Sequence, residues 1–219
     1  MPSPETALQV SDLADRIARR VVGRIRAERD PFMVLVGVSN RHVHLSQEDL
    51  AALFGQDAFT VYRDVRQPGE FAATEFVSVH GPKATFDRVR CMGPCRPKSQ
   101  VELSRTDCVA LGIEAPVTQS GHLETAGPVE ITGPRGRIRL EHGAMVAARH
   151  LHCGTAWAAA RGLKDQDIVR VAIEGPRGGI LSNVIVRAKP AWVPEVHLDM
   201  DEANALGVSS GDYVRVIKG

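Results

Sequence analysis

The sequence predicts a mainly β protein of duplicated β substructures, joined and capped by short α-helices and preceded by one amphipathic helix. Three observations predict it. From Pro31 onward, short Val- and Ile-rich runs are broken by Gly-Pro turns. Three of those turns share a formula: Val79-His80-Gly81-Pro82-Lys83, Ile131-Thr132-Gly133-Pro134-Arg135-Gly136 and Ile173-Glu174-Gly175-Pro176-Arg177-Gly178. Four segments repeat a polar residue, an apolar residue and a helix-capping type: His44-Leu45-Ser46, Glu102-Leu103-Ser104, His152-Cys153-Gly154 and His197-Leu198-Asp199.

The elements follow in order. Ser3 to Arg29 reads as a helix, with Ser3 as cap, Pro4 in the first turn, and Leu8, Val10, Leu13, Ile17, Val21 and Ile25 near helical spacing. Its stripe needs a surface: the chain's own domain, a second copy in a homo-oligomer, or a groove on another protein. The acids between its arginines argue against a membrane-surface helix. In the later turns Pro sets φ and Gly relieves steric restriction, so each reads as a hairpin connection. Val129 to Ile138 and Val171 to Ile180 are close enough to be repeats. Ten or eleven residues beyond each ligand-type residue stands a glycine, Gly55, Gly112, Gly162 and Gly207. The segments between, such as Gln47 to Phe54 and Met200 to Leu206, fit two-turn helices closed by glycine. Asp167-Ile168-Val169-Arg170-Val171 and Asp212-Tyr213-Val214-Arg215-Val216 then continue in parallel. The unit is strand, ligand, short helix, strand.

Length and charge narrow the function classes. A chain of 219 residues holds one large domain or two small ones. With 43% apolar and 24% charged residues it is neither disordered nor collagen-like. Its 27 Lys and Arg against 26 Asp and Glu supply no overall field for nucleic acid or an anionic membrane. No apolar run reaches the roughly 18 to 20 residues of a membrane span and no signal peptide is recognisable, so a soluble intracellular protein is expected. Cys91, Cys95, Cys108 and Cys153 contain a single C-x3-C pair and are expected as reduced thiols.

Two of the repeated segments carry a second histidine two residues earlier, in Arg41-His42-Val43-His44 and Arg149-His150-Leu151-His152. Strand alternation puts residues i and i+2 on one face, so each pair can present two imidazoles to one metal. With Glu102 and His197 at the matching phase, duplicated barrels facing each other would bring six donors together as two sites of three, a paired centre. Zinc suits these donors; nickel, copper, cobalt and iron remain open by ligand type. His80, His122 and His142 lack the repeated context. Arg88, Arg90, Arg96 and Lys98 cluster around the loop Met92-Gly93-Pro94-Cys95-Arg96-Pro97-Lys98-Ser99-Gln100, where guanidinium chemistry suits phosphate. Asp64 to Glu75 reads as a small hairpin able to cover a site. The usual phosphate loop, dinucleotide fingerprint and serine nucleophile elbow are all missing from the sequence, and metal and anion chemistry is left.

The motifs Val36-Gly37-Val38-Ser39-Asn40-Arg41-His42-Val43-His44-Leu45, Gln67-Pro68-Gly69-Glu70-Phe71-Ala72, Gly93-Pro94-Cys95-Arg96, Ser99-Gln100-Val101-Glu102 and Arg149-His150-Leu151-His152 resemble the phosphate propanoyltransferase family of phosphotransacylases. The resemblance runs from about Phe32 to Gly219. It implies two β-barrel domains capped by short helices, with the first strand joining the C-terminal half: 31–41 with 148–219 as one barrel, 42–147 as the other, and 1–30 as an extension. It implies interconversion of acyl-CoA and phosphate with acyl phosphate and CoA at two zinc ions. His42, His44 and Glu102 would hold one zinc, and His150, His152 and His197 the other. Arg96 would bind phosphate as the catalytic arginine. Val38, Ser39, Asn40, Lys83, Arg90 and Asn204 would contact CoA. The extension is similar to peptides that direct such enzymes into the lumen of bacterial microcompartments, through shell or cargo. Two rivals stay open: a metal-dependent acyl-CoA thioester hydrolase, and a non-catalytic metal-binding cargo protein of the microcompartment. Cys153 falls where other copies have Leu45, Leu103 and Leu198, which favours packing over acylation.

Overall fold

The structure, a computed structural model, describes residues 4–218, with side chains from Leu13 onward. The cap expected at Ser3 and the stripe positions Leu8 and Val10 lie outside what is described. In chain order the elements are α1 (Pro4–Ala27), β1 (Met33–Ser39), β2 (His42–His44), α2 (Gln47–Phe54), β3 (Val61–Asp64), β4 (Phe71–His80), β5 (Thr85–Gly93), β6 (Gln100–Leu103), α3 (Arg105–Leu111), β7 (Val117–Thr118), β8 (Gly127–Thr132), β9 (Arg137–Ala147), β10 (His150–Cys153), α4 (Thr155–Ala159), β11 (Ile168–Ile173), β12 (Gly179–Ala188), β13 (Glu195–Asp199), α5 (Met200–Leu206) and β14 (Tyr213–Ile217).

The strands close two six-stranded barrels. One runs β1-β13-β10-β12-β11-β14. The other runs β2-β6-β9-β8-β4-β5, with β3 and β7 hydrogen-bonded beside it. The two are the same topology. In each, the His-x-His strand is antiparallel to the strand carrying the third donor, β2 to β6 and β10 to β13. Each of those four is parallel to one long strand: β2 to β5, β6 to β9, β10 to β12, β13 to β1. The chain is therefore four copies of one unit, and the ligand repeat and the Gly-Pro repeat are two parts of it. The fourth unit has no Gly-Pro turn because its last strand, β1, is supplied by the beginning of the chain. β5 and β12 also share a left-handed residue at the same place, Arg88 (φ 57°) and Asn183 (φ 58°).

The turn formula has a structural cause. A Cβ on Gly81 would meet the carbonyl oxygen of Leu111 at 2.3 Å, and one on Gly133 that of Leu53 at 2.6 Å. These two turns thus lie against the last turn of the sister unit's helix, where only glycine allows the approach, whereas Gly175 of the third turn meets nothing within 4 Å and has a φ of 132°. The basic residue of the formula then sits over that helix's C-terminus, Lys83 beside Gly112, Arg135 beside Gly55 and Arg177 beside Gly207. Arg177 Nε donates to Ala205 O at 3.1 Å. Cations there satisfy the orphan carbonyls and the helix dipole. The helices begin as expected: Ser46, Ser104 and Asp199 accept from the backbone three residues on, the latter two in capping boxes, and Gly154 alone gives no side-chain cap.

Alternation places the middle of each ligand strand in a barrel core and the ligands outside. Val43, Val101, Leu151 and Val196 are fully buried, with Leu45, Leu53, Leu111 and Ile131 in one core and Val36, Val171, Val184 and Val214 in the other. The six donors thus come from the outer faces of β2, β6, β10 and β13.

Helix α1 docks by its polar side. Tyr213 packs at Gly23, whose Cβ would stand 2.7 Å from the ring, Arg20 Nη2 donates to Ser210 O at 2.7 Å, and Arg26 pairs with Glu174. Leu13, Ile17, Val21 and Ile25 are about half exposed, so the stripe is not covered by the chain's own domain. No described helix is long and apolar enough to cross a membrane.

Candidate active site

The outer faces meet in a cleft of about 1000 Å³ lined by all six predicted donors. His42, His44 and Glu102 form one triad and His150, His152 and His197 the other, the offered donor atoms of each lying within 4.8 Å of one another. Register brings them together: His42 stands opposite Glu102, and His150 opposite His197. The first histidine of each pair is oriented alike. His42 Nδ1 lies 2.9 Å from Asn40 O and His150 Nδ1 2.8 Å from Ala148 O, which leaves both Nε2 atoms for the cleft. The rings of His150, His152 and His197 lie 4.6 to 5.0 Å apart by centroid, and Trp192 covers His152 at 3.9 Å.

The electrostatics favour cations. Burial opposes ionisation of Glu102, yet the neighbouring His42, His44 and Arg96 hold its carboxyl well below the usual range. Burial, then His197, pushes His150 down to about 3, and burial with the neighbouring imidazoles lowers His152 strongly. Burial lowers His44 as well. These imidazoles are neutral at neutral pH, the form that binds metal.

A metal fits. Both ring nitrogens of His152 and Nδ1 of His44 are buried without a hydrogen-bond partner, a costly state that a metal would relieve by taking the one lone pair each neutral imidazole offers. Two histidines with a glutamate, and three histidines, are donor sets of open catalytic zinc sites.

Arg96 reaches the same cleft. Its backbone N–H donates to Leu45 O, one residue beyond His44, at 2.9 Å, which ties the loop to the ligand strand. Its guanidinium donates to Ser120 Oγ at 2.6 Å and lies 3.7 Å from Glu70. The hairpin predicted over 64–75 supplies Glu70 and Gln67 to the cleft wall.

Of the expected CoA contacts, Val38, Ser39, Asn40 and Arg90 line the cleft, whereas Lys83 and Asn204 do not. Lys83 belongs to the helix-capping turn described above, and Asn204 is exposed on α5. The arginines preceding each His-x-His serve the fold. Arg41 pairs with Asp107 and Arg149 with Glu202, both at 2.7 Å, the acids being the third residues of α3 and α5. His80 is held between Thr85 and Thr132, away from the cleft.

Sequence reasoning missed Gln100, Glu195, Gln67, Trp192 and Arg187. The first two had a signal, since they occupy in β6 and β13 the repeat position of His42 and His150. Gln100 Nε2 donates to Glu102 Oε1 at 2.6 Å, and Glu195 Oε2 lies 3.0 Å from His197 Nε2, so each orients a donor. Trp192 and Arg187 carry no local motif, and Gln67 stands in the motif Gln67-Pro68-Gly69-Glu70-Phe71-Ala72, where nothing local marks its role.

Comparisons with known proteins point to one family. Residues 35–209 match the family model described as phosphate propanoyltransferase. Among curated relatives, the phosphate propanoyltransferase of Rhodopseudomonas palustris is 42% identical over 93% of this chain and 96% of its own length. That of Rhodobacter capsulatus is 42% identical over 94% and 97%, and that of Thermotoga maritima 45% identical over 84% and 89%.

Proposed function

Because the chain belongs to the phosphate propanoyltransferase family, and so to the acyltransferase enzymes, we propose that it exchanges acyl-CoA and phosphate for acyl phosphate and CoA, with propanoyl or acetyl as the acyl group. One observation carries the reading: two three-donor groups and the Arg96 guanidinium open on the same cleft. The triads would hold two zinc ions, His42, His44 and Glu102 one and His150, His152 and His197 the other. Bound there, zinc would supply Lewis acidity toward phosphate and thioester oxygens.

The chain's own residues supply position. Arg96, held by Leu45 O, Ser120 and Glu70, would fix phosphate by charge-assisted hydrogen bonds. Val38, Ser39, Asn40 and Arg90 would hold CoA with its thioester carbon against a phosphate oxygen. Attack forms the C–O bond of the acyl phosphate and breaks the C–S bond, and CoA leaves as thiolate to take its proton from solvent. Orientation accounts for much of the rate, because two bound reactants react as one. An acyl-enzyme is not needed, and burial pushes the Cys153 thiol up to about 11, far from a ready nucleophile. Propanoyl and acetyl differ by one methylene, worth about 1 to 3 kcal/mol, so both would be accepted.

We assign the barrels as domains, 31–41 with 148–219 and 42–147, and take α1 as a targeting helix for a microcompartment lumen, its exposed stripe laid into shell or cargo protein. Arg96→Ala that keeps its metal should lose most phosphate-dependent turnover, and wild-type rates would remove Arg96 from the reaction. Acyl-CoA consumption that proceeds equally without phosphate would show a hydrolase instead.

A further inference from the structure

We propose that Arg187 is a second phosphate-binding guanidinium, closing on the phosphoryl group from the barrel opposite Arg96. The inference rests on the phosphotransacylase reading and adds to it a residue that no sequence motif marks. β12 runs parallel to β10 with Arg187 in register with His152, so both side chains leave the same face and enter the cleft. The guanidinium lies 5.6 Å from the Trp192 ring that covers His152.

Three other arginines of the cleft are otherwise occupied and Arg187 is not. Arg96 bonds Ser120 and Glu70, Arg41 bonds Asp107, and Arg90 bonds Ala73 O and stacks on Phe76. Among the described residues Arg187's guanidinium meets no hydrogen-bond acceptor and no carboxylate within ion-pair distance. Arg187 is half-buried and shares the cleft with Arg96. A half-buried cation next to a second cation is costly unless an anion joins them. The triads, Arg96 and Arg187 all line the one cleft. A tetrahedral dianion there can take planar, paired hydrogen bonds from both sides. The same chemistry is offered by phosphate, the phosphoryl end of acyl phosphate, and the phosphates of CoA; position beside His152 selects the first two.

The test compares Arg187→Ala and Arg187→Lys with wild type, each with bound metal quantified. Inorganic phosphate binding is followed by calorimetry and thermal shift, and KM is measured separately for phosphate and acyl-CoA. The expected result for Arg187→Ala is full metal content and a phosphate affinity at least tenfold weaker. Its KM for phosphate should rise to match, with the KM for acyl-CoA unchanged. Arg187→Lys, which keeps the charge and loses the fork, should fall between. A rise confined to the KM for acyl-CoA would move Arg187 to the CoA phosphates and overturn the proposal, as would unchanged phosphate binding or loss of metal in both variants. Wild-type protein that binds phosphate through Arg187 yet forms no acyl phosphate would sink the phosphotransacylase reading alone. Full turnover with Arg187→Ala would sink this inference alone.

Discussion

Gln67 and Glu195 join the two barrels at the donor triads: Gln67 Nε2 donates to Glu195 Oε2 at 3.0 Å, and that oxygen stands 3.0 Å from His197 Nε2. Gln67 also accepts from Val193 N–H and donates to Val193 O, pairing like a strand residue although it comes from the hairpin of the other barrel. Both side chains are buried. Partners behind a ligand commonly carry 10- to 100-fold in metal affinity. Gln67→Ala should therefore weaken zinc binding at the proposed His150, His152 and His197 site by up to about that factor and leave the proposed His42, His44 and Glu102 site, read by competition with a chromophoric chelator. Two unchanged affinities would show that His197 is held without this pair.

Cys153 should be chemically silent. It is fully buried, its thiol is raised to about 11 by burial, and Cys91 is raised to about 12 for the same reason. Native protein at pH 8 should show slow alkylation at both positions, and denatured protein should show all four thiols. Cys153→Ala should keep phosphate-dependent turnover within about threefold, its cost falling on stability through the cavity left behind. Loss of turnover in a folded, metal-replete variant would return an acyl-cysteine to consideration.

Arg41 and Arg149 make equivalent ties between sister units, to the acids in the first turns of α3 and α5. Asp107 is 5% exposed, so removing Arg41 strands a buried carboxylate. Its hydrogen bond from the Ser104 N–H remains, and Arg41 is itself partly exposed, which moderates the loss. Arg41→Ala should lower unfolding free energy by about 1–3 kcal/mol, the usual cost of a buried group left short of a partner. Urea denaturation checks it, and Arg149→Ala should behave alike because the unit is repeated.

Asp30 gives a pH test away from the cleft. The Phe32 N–H and, after the opposing effect of burial, Arg215 hold its carboxyl below the usual value of 3.8. A carboxylate with a depressed native pKa adds stability that is present above the unfolded pKa and is lost as pH falls through the native one. Asp30→Asn should thus be less stable than wild type by about 1 kcal/mol at pH 7. The gap should stay constant down to about pH 4 to 5 and close below that range. A gap that does not change between pH 7 and pH 3 would assign it to packing.

The repeated unit was legible in the chain because its signals are local. Apolar alternation, Ser or Asp caps, glycine ten or eleven residues beyond each donor and the Gly-Pro-basic turn are all local signals, and the donors His42, His44, Glu102, His150, His152 and His197 stood out by phase. What needed the tertiary structure joins distant residues. The pairing of β1 with β13 sets Val36 against Val196, and the turn formula made sense only once Lys83 was seen over a sister helix rather than on the cleft. Arg187 enters the site through register with no motif to announce it, and Gln67, although inside a motif, reaches Glu195 only because its hairpin folds onto the other barrel. A strand's side-chain alternation follows from its own backbone, so the sequence determines which residues share a face. Which faces meet depends on barrel closure, whose hydrogen bonds are chemically alike at every register and take their choice from the packing of the whole core.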